Sequence, residues 1–275
     1  MILVGLSGSS VSKENEFSPR TILPLYLQSK EVCVLEWDPK EEQLFQVEKV
    51  DYDKAKRYKL GAAQFQFDKQ TAFYPFETIG KWMNMTSYIS QALYKRVTEI
   101  TDHMFILDEE SDHKFNYTST VNISALIDPK RFASQHKTPS QITQLYLDSS
   151  DELNQFADRL RPSEKSPYIA IIGEYQFAFI MFHIGQDYES LLQWKNILFL
   201  FSHAYTLLTE SKDISVTSFF DHIMKTTYLQ LSELEEDFFL LNDGYDQNGG
   251  KRINDKNFVL KCLEVEIFLI YYCRH

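Results

Sequence analysis

Two hydrophobic periods divide the chain. In the first fifty or so residues, apolar side chains come in short blocks or alternate with polar ones, the period-2 habit of strands. Residues 2–6 read as one strand. Ile22–Leu27 and Val32–Trp37 read as two more, joined by Gln28-Ser29-Lys30-Glu31 in a hairpin-like connection. Asp38-Pro39 closes the last of these, because proline cannot donate to a ladder and restricts the residue before it. Gln43–Val50 is a further candidate strand, and residues 7–20 form a Ser/Asn/Glu loop.

From Pro75 the period becomes helical. Ile79, Trp82, Met83, Ile89, Leu93 and Val97 fall on one face of a single helix over about residues 75–100. Pro75 suits its first turn, and Glu77 faces the positive end of its dipole. Residues 108–117 are the most polar stretch and read as a linker, and Val121–Ile127 is a short extended segment after it.

Thereafter the chain reads as helices. Thr138-Pro139-Ser140-Gln141 is a capping box with proline in the first turn. Leu153, Phe156 and Leu160 stripe a helix ending at Arg161-Pro162. Asp187 caps another, whose inward face is Leu191, Trp194, Leu198 and Phe201. A further helix carries Phe219, Phe220, Ile223, Met224, Thr227, Tyr228 and Leu231, and Ser232–Glu235 caps a short one holding Phe238 and Phe239. Residues 258–272 are ambiguous, since Leu263-Glu264-Val265-Glu266-Ile267 alternates like a strand.

Between these elements lies a stretch with neither stripe nor alternation. From Tyr168 to Ile184 nearly every residue is apolar or aromatic, until Gly185 closes the run. A helix apolar all round belongs in the middle of a core. Glu174 and Gln176 nevertheless sit inside it, where an unpaired polar group costs a few kcal/mol. They need partners in helix ends or a neighbouring loop. The main reading is a structural pair that fixes the helix register; the alternative is a ligand contact.

The pattern predicts an α+β chain of two domains. Residues 1–107 form a β-rich, partial sandwich-like domain with one amphipathic helix, residues 108–117 a linker, and residues 118–275 an all-α helical bundle. Composition agrees with folded domains. Of 275 residues 44% are hydrophobic, and 9 Gly and 8 Pro are too few for low complexity. Cys33, Cys262 and Cys273 form neither a metal spacing nor an even disulfide set, which favours a reducing compartment. The run 168–184 is short for a bilayer and carries Glu174, so no membrane is expected.

The net charge is −11. Such a chain lacks the basic stripe of a nucleic-acid binder, and its acidity favours a basic protein partner. The densest basic cluster, Lys54, Lys56, Arg57 and Lys59, reads as a solvated loop or edge face.

Catalytic motifs do not emerge. Gly5-Leu6-Ser7-Gly8-Ser9 is superficially similar to a nucleophile elbow or phosphate loop, but lacks the spacing of one and the lysine of the other. Asp246 and Asn248 fit a calcium loop until Lys251 occupies the position that demands glycine. His183 and His203 read as core or boundary histidines, His103 and His113 lack supporting ligands, and Trp82 and Trp194 read as core anchors. Neither enzyme activity, cofactor nor metal is expected.

Four blocks carry a resemblance. Gly173-Glu174-Tyr175-Gln176-Phe177-Ala178-Phe179, then Gly185 and Trp194, resembles the core signature of the A1-cistron splicing factor family. Tyr74-Pro75-Phe76, Lys81-Trp82 and Thr86-Ser87-Tyr88-Ile89-Ser90 resemble a second block, Thr138-Pro139 with Ile142-Thr143 a third, and Asp237-Phe238-Phe239 a fourth. They occur in the family's order, over roughly residues 1–241.

The resemblance implies a β-rich domain joined to a helical bundle, with a helix in the ambiguous tail. It also implies an assembly factor of the U5 small nuclear ribonucleoprotein. Such a factor binds the U5 scaffold protein, pre-mRNA-processing-splicing factor 8, through its RNase H-like and Jab1/MPN domains. It acts as a placeholder chaperone in cytoplasm and nucleus, without turnover and without binding nucleic acid directly. The rival expectation is a generic helical interaction adaptor of another pathway. Set against the family pattern, the resemblance implies that Met1 starts mid-domain, that His275 stops before the last helix and tail, and that Asp243–Asn254 is an insert.

Overall fold

The computed structural model describes residues 2–6, 21–26, 32–38, 40, 43–67, 69, 76–99, 105–106, 115–117, 148–162, 164–234 and 238. Two compact units divide the chain, Met1–Asn116 and Tyr117–His275. The expected elements at 121–127, 138–141 and 258–272, most of the 108–117 segment, the 243–254 insert, and Tyr74, Pro75 and Phe239 lie outside the described residues.

The first unit begins with strands. β1 (Ile2–Leu6) pairs antiparallel with β2 (Thr21–Leu25), Ile2 opposite Leu25 and Leu6 opposite Thr21. A second sheet runs β3-β4-β5, from β3 (Leu35–Asp38), β4 (Gln43–Gln46) and β5 (Phe105–Ile106). The expected hairpin of the second and third strands is therefore corrected, because β2 pairs with β1 and β3 with β4. The expected Gln43–Val50 strand ends at Gln46, where α1 (Val47–Val50) begins and buries Val47.

Helices then take over. Asp51 accepts a hydrogen bond from the Lys54 N–H at 2.9 Å and starts α2 (Tyr52–Ala63). The basic cluster that reads as a loop in the sequence is thus helical, as its Lys, Arg and Ala content permits.

The single helix expected over 75–100 is two, α3 (Phe76–Thr86) and α4 (Gln91–Thr98). A run of hydroxyls breaks it. Thr86 Oγ1 donates to Trp82 O at 2.9 Å and Ser87 Oγ to Asn84 O at 3.3 Å, while Ser90 Oγ accepts from the Leu93 N–H at 3.0 Å and caps α4. The break changes which residues are inside. Ile89, Leu93 and Val97 are buried as expected, but Ile79 and Met83 are exposed and Met85 is buried instead. Among the described residues the first unit holds more helix than strand, and its sheets have only two and three strands. The strands-before-bundle order stands, but the β-rich sandwich is not what these residues display.

The described elements of the second unit are all helices: α5 (Ser150–Leu160), α6 (Pro167–His183), α7 (Tyr188–Ser202), α8 (Tyr205–Glu210) and α9 (Ile214–Leu231). α6 packs against α7, α9 and α5, and every residue from Ala170 to Phe182 is buried. Pro167 stands at the start of α6, where its missing N–H is harmless. The helix stops at a tight reversal. Asp187 N–H returns to Met181 O at 3.2 Å, and a Cβ on Gly185 would meet that same carbonyl oxygen at 2.3 Å. Gly185 is needed for this close approach. Asp187 then caps α7 through the Ser190 N–H at 2.7 Å.

Leu153, Phe156, Leu160, Trp194, Leu198, Phe201, Phe219, Phe220, Ile223 and Thr227 are buried as the periodicity predicts. Tyr228, expected on the inner face of α9, is 75% exposed. Among the described residues no helix is long and apolar enough to cross a membrane.

Placing α6 at the centre makes Phe177, which is fully buried, a test of the fold. Phe177→Ala is expected to lower unfolding free energy by about 3–5 kcal/mol, the cost of removing a buried phenyl ring. Urea denaturation measures it, and a change below about 1 kcal/mol contradicts the central placement of α6.

Candidate functional site: a buried polar seam in the helical unit

α6 is surrounded by apolar side chains, so each of its polar groups needs a partner from another helix. Glu174 finds one in α7. Gln193, one residue before Trp194, donates from Nε2 to Glu174 Oε1 at 2.8 Å, with both side chains buried. Sequence reasoning demands a partner and looks for it in helix ends or a neighbouring loop; one residue that meets Glu174 is a glutamine nineteen positions on, within α7.

The next residue makes the second tie. Tyr175 stacks on Trp194, with ring centroids 5.9 Å apart and planes 9° off parallel. Its hydroxyl lies 3.1 Å from Thr227 Oγ1 on α9. Thr227 sends its own proton to Ile223 O at 2.9 Å, which makes Tyr175 the donor to Thr227. Trp194 completes the circuit by donating from Nε1 to Gln230 Oε1 at 2.8 Å. Three helices are thus linked by hydrogen bonds made wholly between buried side chains.

A further contact enters from the start of the unit. Tyr117 meets Phe177 edge-on at 6.3 Å, and its hydroxyl lies 2.5 Å from Ser190 Oγ in the first turn of α7. Burial, reinforced by the nearby charges of Asp187 and Glu174, raises the Tyr117 phenol well above its ordinary pKa, against the opposing effect of its hydrogen bond with Ser190. The ring is a neutral anchor at any ordinary pH.

The expected site residues divide accordingly. Gly173, Glu174, Gln176, Phe177 and Phe179 lie in the buried stretch of α6. Phe179 packs on Phe182, His183 and Trp194, and Phe238 meets Phe182 at 6.0 Å, so the fourth sequence block touches the helix of the first. Gly185 forms the turn that brings α7 back along α6. Trp82 is a different case, half-buried on α3 of the first unit. His183 is exposed, although stacked on Phe179, and His203 is half-buried at the end of α7, against Phe199 and within 3.0 Å of Phe199 O.

Gln193, Tyr175, Tyr117, Ser190, Thr227 and Gln230 belong to the seam without having been singled out as partners. Their signal was present: Gln193 and Gln230 are amides on helix faces otherwise given to aromatic and aliphatic residues.

Chemically the seam is an internal fastening. Its amide, hydroxyl, indole and carboxyl groups face one another, which fixes the relative register of α6, α7 and α9. Among the described residues no three His, Cys, Asp or Glu side chains gather as a metal site would need.

The chain is therefore a two-unit protein, a mixed first unit followed by a helical unit fastened around one fully buried helix. The sequence matches one known family along most of its length. The profile of the AAR2 N-terminal domain matches residues 5–99, and that of the AAR2 C-terminal repeat region matches residues 125–267. The chain belongs to the AAR2 family of splicing factors. Similar proteins include the Protein AAR2 homologs of Homo sapiens and Pongo abelii, each 24% identical over 271 residues, covering 84% of this chain and 66% of theirs. The Caenorhabditis elegans homolog is 24% identical over 238 residues, covering 76% of this chain and 64% of its own. The chain thus spans just under two thirds of the length of these relatives.

Two measurements probe the seam. A double-mutant cycle on Glu174→Ala and Gln193→Ala should give a coupling of about 1–3 kcal/mol, since either single change removes a hydrogen bond between two buried polar side chains. Additive effects would contradict the fastening.

The second measurement concerns His203, whose pKa is lowered by burial against a smaller opposing effect of its bond to Phe199 O. A lowered folded pKa means that the stability contribution is full above the unfolded value, near pH 6.5, and is lost as pH falls through the folded value. The unfolding free energy from urea titrations should therefore decline below about pH 6.5, with His203 contributing at most about 1.4 kcal/mol per pH unit. A His203→Gln variant should lack that part of the decline.

Proposed function

We propose that this chain serves pre-mRNA splicing as an assembly factor of the U5 small nuclear ribonucleoprotein. In this reading it binds the U5 scaffold protein, pre-mRNA-processing-splicing factor 8, through that protein's RNase H-like and Jab1/MPN domains. It occupies the scaffold as a placeholder in the immature particle, keeps the U4/U6-unwinding helicase off, and is released on maturation. It carries no catalytic step and needs no cofactor, and it works in both cytoplasm and nucleus. The observation that carries the proposal is the family match across both units, residues 5–99 and 125–267.

Two physical features support it. The seam fixes three helices against one another, and a rigid helical platform loses little conformational entropy when it binds. The charge of −11 suits a partner whose own surface is basic because it handles RNA. An acidic protein held on such a surface repels RNA from it, so occupancy alone delivers the blocking effect.

The test is a pull-down of the RNase H-like and Jab1/MPN domains by this chain, beside a gel shift with U4/U6 RNA. Retention of the scaffold domains, weakening as salt rises, is expected, and free RNA should not shift at physiological ionic strength. RNA bound in the absence of scaffold overturns the proposal. So does a failure of the scaffold domains to bind a version of the protein extended to the length of its relatives.

A further inference from the structure

The basic cluster of α2 has no part in the seam, and its helix is unusual in what it leaves outside. Ala55 and Gly61 are the residues that α2 buries. Its other side is open: Tyr52 is 62% exposed and Leu60 57%, with Lys56, Arg57 and Ala63 also exposed. At 3.6 residues per turn, Tyr52, Lys56, Leu60 and Ala63 lie within about 80° of one another, and Arg57 flanks them. This is an i, i+4, i+8 row of apolar and cationic side chains facing solvent.

The cations on this helix differ in their partners. Lys54 is held by Glu36 at 2.5 Å, and Lys59 is paired with Glu48. Lys56 and Arg57 have no carboxylate partner among the described residues. In a chain of net charge −11, two neighbouring cations left unpaired beside exposed apolar side chains are out of keeping with their surroundings.

The end of α2 adds an independent observation. Phe65 N–H bonds Ala62 O at 3.1 Å and Gln66 N–H bonds Gly61 O at 3.0 Å, the paired pattern that closes a helix through a left-handed residue. Glycine ordinarily takes that position. Here it is Phe65, at φ 57°. The strain does not serve packing, because the Phe65 ring is 73% exposed, whereas Phe67 turns back to stack on Tyr58 at 5.8 Å. A bulky residue held in a disfavoured conformation so that its ring faces water is a mark of a functional surface.

We propose that the outer face of α2, with Tyr52, Lys56, Arg57 and Leu60, together with the exposed ring of Phe65 just past the helix end, is a docking surface for an acidic peptide segment that carries apolar side chains, supplied by a protein partner. Its carboxylates pair with Lys56 and Arg57 while its apolar side chains cover Leu60, Tyr52 and Phe65. Aromatic and basic residues together also suit single-stranded RNA. Leu60, exposed within the row beside the cations, argues for the peptide, because an aliphatic side chain covers apolar peptide side chains but offers a base no ring to stack on. The inference is independent of scaffold binding, because the peptide test contains no scaffold protein.

The experiment is fluorescence anisotropy on the full chain. The probe is a labelled peptide on the order of a dozen residues, rich in Asp and Glu with Leu and Trp at helical spacing. Controls are the same peptide with Lys for the acids, and an oligouridine of equal length. The acidic peptide should bind and the lysine peptide should not. Lys56→Glu with Arg57→Glu should weaken binding about tenfold or more, and both sites are exposed, so the fold is kept. Phe65→Gly should raise the urea midpoint by relieving strain, yet weaken the peptide by roughly fivefold. Parent-like peptide affinity in either variant overturns the proposal, as does oligouridine binding more tightly than the acidic peptide.

Discussion

Full burial of α6 is the constraint on which the second unit depends. A helix that presents one apolar stripe can sit at a surface, but Ala170 to Phe182 presents none, so neighbours must cover it all round. α5, α7 and α9 provide that cover. The same burial turns Glu174 and Gln176 from ordinary polar residues into obligations. One obligation is met by Gln193, and the consequence is register: the Gln193 amide reaches Glu174 only if α7 lies at one height along α6. Tyr175 and Trp194 set the corresponding heights of α9, through Thr227 and Gln230. Apolar packing alone tolerates sliding, and these bonds do not.

This logic explains how legible each part was in the sequence. In the second unit, caps, stripes and breakers agree with one another: Leu153, Phe156 and Leu160 make a stripe, Asp187 a cap and Gly185 a reversal, and the structure uses each as read. The identity of the Glu174 partner was not legible, because it depends on how two helices sit side by side. Tyr228 shows the limit from the other direction. It falls on a plausible helical stripe, yet the three helices around α6 leave it outside.

The first unit was harder for identifiable reasons. The alternation of Gln43 to Val50 fits a strand by period, but Asp51 offers a side-chain oxygen that starts a helix, and α1 forms just before it. Thr86, Ser87 and Ser90 lie within an apolar helical period, and their hydroxyls compete for the backbone carbonyls and amides that a continuous helix would use. Sheet pairing was least accessible of all. The connection Gln28–Glu31 looks like a hairpin, but pairing is settled by which edges meet, and β2 takes β1 rather than β3.

The residues of the first sequence block are closed to any partner. Glu174, Tyr175, Gln176, Phe177, Ala178 and Phe179 have no exposed surface, so nothing outside the chain touches them. Each is constrained by several buried neighbours at once, and exchanging one disturbs all. Surface residues carry no such joint constraint. Binding travels through surfaces that the core merely holds in place. What the seam contributes to function is indirect: by fixing the heights of α6, α7 and α9, it fixes the outward faces of those helices in a single arrangement, which a partner can meet without the bundle being ordered afresh.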